Sequence, residues 1–386
     1  MRKKYIFGKK LYISILTSIL VLLTTVATTF AWVGVFANST FENFGFDIKA
    51  SSLDEYSIEI STDGVNFYNE LSFSSVQRQI LTNFGYANID ELSDVKVNAL
   101  YQKLNLDQCT TVPTVESGKI VSLGTFKDMF DVPTSKYIKF DLYLSAKKNY
   151  DSGSHSDYSM DVYLGKGMLR GHKKSYTLFN HFTYPDNYIN PYVELINNNS
   201  ISLPNGIHPI LAGTVIKNAR VDSSSAARVA FEKYPVVTKG HPELYTDSTL
   251  PKSALIYQDT YEYPVYSDEG YQSFGAILPD EENLATSYYN STEYIYYTAE
   301  EKKISLPDDL KTTRSVNGET PDLVLNSKTN QIIDSNNLNE KIGVDSMMKV
   351  SVYFWFEGWD ADCFPAINHS IVNININFMM RNEEEF

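Results

Sequence analysis

The stretch Ile371–Phe378, IVNININF, decides the fold class. Val372, Ile374, Ile376 and Phe378 alternate with Asn373, Asn375 and Asn377. A period of two is that of a strand with one apolar and one polar face, because successive side chains leave a strand on opposite sides. The same period recurs upstream. In MKVSVYFWFEG, Val350, Val352, Phe354 and Phe356 share a face. In YIKFDLYLSA, Ile138, Phe140, Leu142 and Leu144 point to a core, while Lys139, Asp141, Tyr143 and Ser145 point to water. In SSSAARVAFEKYPVV, Val229 and Phe231 oppose Arg228 and Ala230. Phe44, Phe46 and Ile48, and then Tyr56, Ile58 and Ile60, repeat the alternation near the start. Asp63-Gly64 follows as a tight turn, glycine supplying the positive φ it needs. YIKFDLYLSA and MDVYLGKG are expected to be neighbouring strands of an antiparallel sheet.

One region departs from this period. In residues 75–106, Ile89, Leu92, Leu100, Tyr101 and Leu104 recur at helical spacing, and Asp90 is placed to cap an N-terminus. The expected fold is therefore mainly β: a jelly-roll-like antiparallel β-sandwich with a helical insertion at about 75–106. No repeat of 20–50 residues is present, which argues against solenoids and propellers.

The first ten residues, MRKKYIFGKK, hold five basic groups and no acid, and Leu11 to Phe41 holds no charge. Such a run is long enough to cross ~30 Å of hydrocarbon. Its basic flank should stay in the cytoplasm, leaving the remainder outside. Residues 1–37 are thus expected to be a signal peptide, cut after Ala31 or Ala37, or else an N-terminal membrane anchor in helical form. Residues 38–386 form the extracellular part. Without the five basic groups its formal charge falls from −14 to −19. An acidic ectodomain repels nucleic acid and anionic membrane surfaces, so neither is an expected partner.

Motifs for catalysis are missing. The six histidines, His155, His172, His181, His208, His241 and His369, form no HExxH or other zinc spacing. GKGMLRGHKKS lacks the order of a phosphate-binding loop, and no G-x-S-x-G elbow occurs. No catalytic activity, and no cofactor, is expected. The acidic loop after Phe356 carries Glu357, Asp360 and Asp362 within six residues, the one candidate metal set. Calcium takes several oxygen ligands from such loops. The alternative is a tight connection in which Gly358 turns the chain, Trp355 or Trp359 covers a sheet edge and Pro365 ends the loop. The only two cysteines, Cys109 and Cys363, either pair as one long-range disulfide or stand as two separate small buried residues. From Tyr257 to Tyr297 there are ten tyrosines in 41 residues. This excursion is either ordinary surface or a contact surface, since tyrosine buries area at low entropic cost and keeps a polar tip.

Four segments in order carry a resemblance: ATTFAW (27–32), YSIEISTDGVNFY (56–68), SAARVAFE (225–232) and VYFWFEGWDADCFPAI (352–367). They resemble a set of uncharacterised exported surface proteins of low-GC Gram-positive bacteria, distantly similar to the TasA/camelysin biofilm-fibre group. Val33 departs from the latter's pattern, in which an aromatic follows Trp32. The resemblance implies export, a jelly-roll-like sandwich and fibre or matrix assembly; it carries over no catalytic residue. The expected function is a surface or matrix component that partners itself or other surface proteins, tethered to the membrane only through the N-terminal segment. The alternative is a carbohydrate-binding or adhesive module using Trp359 and the tyrosine-rich excursion, with glycans as partners.

Overall fold

The computed structural model describes residues 38–39, 43–50, 56–111, 113–116, 119–128, 132–149, 160–165, 168–171, 173–183, 207–209, 211, 213, 215–222, 224, 226–247, 250, 252–257, 265–267, 272–273, 331–334, 336–358 and 371–380. The described chain is mainly β. The N-terminal segment 1–37 lies outside these residues; among the described residues no helix is long and apolar enough to cross a membrane.

The strands that build the core are β1 (Asn43–Ala50), β2 (Tyr56–Ser61), β3 (Leu106–Thr110), β4 (Ile138–Lys148), β5 (Val162–Leu164), β6 (Ala227–Thr238), β7 (Ser253–Tyr257), β8 (Gln331–Ile333), β9 (Ser346–Glu357) and β10 (Ile371–Met380). Helices α1 (Phe73–Asn83) and α2 (Asp94–Tyr101) lie between β2 and β3.

The larger sheet is organised around β9. On one side β9 pairs antiparallel with β6, which pairs with β7. On the other it pairs antiparallel with β4 over Met347–Phe354, and then in parallel with β3 at Phe356–Glu357. β2 lies antiparallel against the second half of β4. The smaller sheet centres on β10, paired in parallel with β1 from Asn43↔Ile371 to Ala50↔Phe378 and antiparallel with β5, which carries β8. A third sheet joins Lys173–Thr183 to Val215–Asp222 with three short strands.

Both main sheets contribute to one core. Phe140, Val352, Phe354, Phe356 and Phe231 from the larger sheet meet Ile48, Ile374, Ile376 and Phe378 from the smaller. Each such side chain contributes roughly 1.5–3 kcal/mol on burial. Val76, Ile80 and Leu81 of α1 and Val97 and Tyr101 of α2 enter the same cluster. The asparagines of IVNININF stay on the other side: Asn373 is exposed and Asn375 and Asn377 are intermediate.

Three expectations are corrected. β4 and the strand of MDVYLGKG are not neighbours: β4 is held between β2 and β9, and β5 belongs to the smaller sheet. The sheets are also mixed rather than purely antiparallel, since β1–β10 and β3–β9 run in parallel. Asp90 does not cap a helix; it sits within a 3-10 turn, Ile89–Glu91, and the N-cap positions of the two helices belong to Ser72 and Ser93.

Candidate functional site

The alternation that sends one row of β9 into the core sends Lys349, Ser351, Tyr353, Trp355 and Glu357 to the opposite face. Register fixes their neighbours. Ser351 stands between Asp141 of β4 and Glu232 of β6; Tyr353 stands between Lys139 and Ala230; Trp355 faces Arg228. This face gathers charged and aromatic groups from three strands, yet much of it is buried. Glu232 is 4% exposed, Tyr353 7% and Trp355 0%.

The groups satisfy one another. Asp141 accepts the Ser351 hydroxyl through Oδ1 at 2.5 Å and pairs with Lys349 through Oδ2 at 2.8 Å. Glu232 Oε2 accepts the phenols of Tyr234 and Tyr353, both at 3.1 Å, with Lys252 Nζ 3.7 Å away. Burial pushes the Tyr353 phenol far above its ordinary range, and the Glu232 carboxylate adds to the shift. The lysines roof the rings: Lys139 lies 5.0 Å above Tyr353, and Lys252 and Lys349 lie 4.8 and 5.0 Å from the centre of Tyr234. Their ammonium groups meet the negative faces of these rings.

At one end Phe126 closes the face. Its ring stacks on Tyr137 at 4.0 Å and meets the edge of Trp355 at 5.2 Å. At the other end a small second core forms from Tyr143, Tyr234, Tyr245 and Met347, with Phe67, Val237 and Leu250 packed on it. It is supplied by the turn after β2 and by the 3-10 helix Pro242–Thr246. Burial holds the Tyr143 phenol at about 12, with Asp141 nearby adding to the rise.

The sequence-predicted residues divide. Glu357 is 5% exposed, and its Oε2 accepts the Trp355 indole N–H at 3.1 Å. Trp355 is thus buried rather than lying on an edge. Cys109 is fully buried on β3; its register partner is Glu357, and its carbonyl accepts Gly358 N–H at 3.0 Å. Asp360, Asp362, Cys363 and Trp359 lie outside the described residues, as does most of the excursion 257–297. Among the described residues no group of three or more histidines, cysteines or carboxylates is placed to hold a metal ion. Sequence reasoning missed Asp141, Glu232, Lys349, Ser351 and Tyr353. Their signal was available: the polar row of three core strands combines two acids, a lysine and a tyrosine, a mixture suited to mutual pairing.

The chain matches no protein-family model, no curated protein and no solved structure.

Proposed function

We propose that the chain is an exported, non-catalytic component of a cell surface or extracellular matrix, built as a jelly-roll-like β-sandwich that self-associates through strand edges. The observation that carries this reading is the closure of the polar face. Asp141 is taken up by Ser351 and Lys349, and Glu232 by Tyr234, Tyr353 and Lys252. A row of charges matched to one another rigidifies a sheet and offers a substrate few open groups. Such a sheet suits a scaffold.

The leader supports export: 31 uncharged residues behind a basic head fit secretion or tethering. Strand edges support self-association, because an edge presents peptide groups that another strand can pair. Two measurements test the proposal on protein isolated from the cells that make it. N-terminal sequencing with intact mass locates the mature start, expected at Trp32, at Asn38 or, for an anchored form, upstream of residue 11. Light scattering should give oligomers whose size rises with concentration. A cytosolic protein with an intact leader, or a strict monomer across concentration and pH, overturns it.

The glycan-binding alternative draws on one observation, the half-buried Tyr137 ring stacked on Phe126 with the Tyr353 ring 6.1 Å away. Aromatic faces of this kind carry sugar rings well. Glycan binding that is abolished by Tyr137→Ala would favour it over the structural reading.

A further inference from the structure

We infer that α1 is an edge guard: its side-chain amides keep a second copy of the chain from pairing with β4 at Lys139–Asp141. The inference rests on the strand-edge reading above and names an edge that the single chain closes.

β2 covers only part of β4. Their register ends at Ser61↔Tyr143, and among the described residues no strand pairs with β4 before Tyr143 on that side. Alternate residues of a strand direct both peptide groups to the same edge. Tyr143 faces β2, so Asp141 and Lys139 face the space that β2 has left.

Their groups are taken up by α1. Asp141 N–H donates to Gln79 Oε1 at 2.7 Å, and Asp141 C=O accepts from Gln79 Nε2 at 3.1 Å. One glutamine amide therefore returns both hydrogen bonds that a residue on a paired strand would exchange. Lys139 C=O accepts from Asn83 Nδ2 at 2.7 Å. The spacing explains the fit. Positions four apart stack on one helix face at ~5–6 Å, and alternate strand residues are ~6.6 Å apart. Gln79 Nε2 also donates to Thr62 C=O at 2.7 Å, where β2 turns away. On its other side α1 is held by Val76, Ile80 and Leu81, all buried in the core.

What the two amides replace is a strand in antiparallel register, the pattern that β2 already supplies next door. Remove them, and partly exposed peptide groups are left that water or an incoming strand must satisfy. An extended segment of a second copy supplies the matching groups without chemistry foreign to the chain.

The test uses the protein isolated from its cells, as wild type, Gln79→Ala/Asn83→Ala, and Gln79→Glu. Gln79→Glu keeps side-chain length and the acceptor for Asp141 N–H but loses the donor. Two readouts are taken: hydrogen exchange at the Asp141 amide, and mass by light scattering against concentration. In the double variant exchange should accelerate about tenfold or more, with a shift toward dimers and larger species at concentrations that leave wild type unchanged. Faster exchange with a wild-type mass distribution overturns the inference. Should the double variant fail to fold, Gln79→Glu is judged on association alone: more association than wild type upholds the guard, and none overturns it. Wild type itself separates this from the broader reading. A wild type that assembles while the variants add nothing rejects the guard and leaves edge association standing. A monomeric wild type beside an assembling variant upholds the guard and rejects assembly by the native chain.

Discussion

The phenol oxygen of Tyr245 lies 3.0 Å from the backbone nitrogen of Lys349, inside a gap in the β6–β9 ladder. The gap is a bulge. Lys233 pairs with Val350 and Val236 with Met348, so Tyr234 and Pro235 together oppose Lys349. Pro235 has no N–H to give, and its own carbonyl lies 3.0 Å from the same phenol, with the Met347 carbonyl at 2.9 Å. A tyrosine arriving from the 3-10 helix thus accepts the orphaned N–H and returns its single proton to one of two carbonyls. The bulge also reverses the alternation of β6: Val229 and Phe231 face the core before it, and Val236 after it.

Tyr245→Phe should therefore destabilise the protein by about 1–3 kcal/mol, the range for leaving a buried backbone donor unsatisfied. Urea unfolding should show a lower midpoint with an unchanged slope. Burial has already raised the Tyr245 phenol well above its usual range, so the loss should be constant across neutral and mildly alkaline pH.

Gly64 is the tightest backbone position in the second small core. Its φ is +74°, and a Cβ there would come 2.9 Å from Pro242 Cβ and 3.2 Å from the Tyr143 ring. Gly240 also has positive φ, +82°, but with nothing among the described residues within 4 Å of a Cβ there. Gly240→Ala should cost about 1–2 kcal/mol, the left-handed penalty alone. Gly64→Ala should cost more, because the added methyl must displace the 3-10 helix. Equal losses in thermal unfolding would show that Pro242 yields freely.

How far the sequence leads depends on the range of the interaction. The alternation of IVNININF predicted which side of β10 is buried, because inside-outside parity is set residue by residue. Glycine at position 64 was equally legible as a turn. Helices α1 and α2 do lie near 75–106, but of Ile89, Leu92, Leu100, Tyr101 and Leu104 only Leu100 and Tyr101 fall in one of them, and Asp90 caps neither, since several polar residues nearby compete for that role. Strand partners were out of reach: β4 pairs with β9 some two hundred residues on, and nothing local encodes that choice. The polar face was misread for the same reason. Lys139, Asp141, Tyr143 and Ser145 alternate as a wet row should, yet Tyr143 is 8% exposed and Ser145 1%. A distant turn and a 3-10 helix cover that end, and a sequence period cannot announce its cover.

Asp63 gives a pH test. Partial burial raises its carboxyl, but hydrogen bonds from Asn66, from Val65 N–H and from the Ser61 hydroxyl outweigh that and hold it at about 2. The unfolded value is 3.8, so the folded state prefers the ionised group. The contribution is present above pH ~4 and is lost as pH falls toward 2. Because the group is mostly exposed, solvent screening leaves about 1 kcal/mol. Asp63→Ala should thus be less stable than wild type at pH 6, and the difference should shrink between pH 4 and 2. A constant difference across that window would mean that the turn depends on side-chain shape rather than charge.

Lys233 sits on the core side of β6, 9% exposed, just before the bulge. It extends to Glu340, Nζ to Oε1 at 2.9 Å, and Glu340 Oε2 accepts the Asp334 N–H at 3.1 Å. The pair joins the loop that precedes β9 to the strand beside it. Removing one partner leaves the other charged in a poorly hydrated place, so Glu340→Gln should cost about 1–3 kcal/mol. Replacing Lys233 with methionine as well removes the stranded charge and keeps the stem's packing, and the double variant should recover much of the loss. A double-mutant cycle measured by chemical unfolding gives the coupling. Additive losses would mean that the ammonium group reaches water without Glu340, leaving the Asp334 hydrogen bond as the carboxylate's only structural contribution.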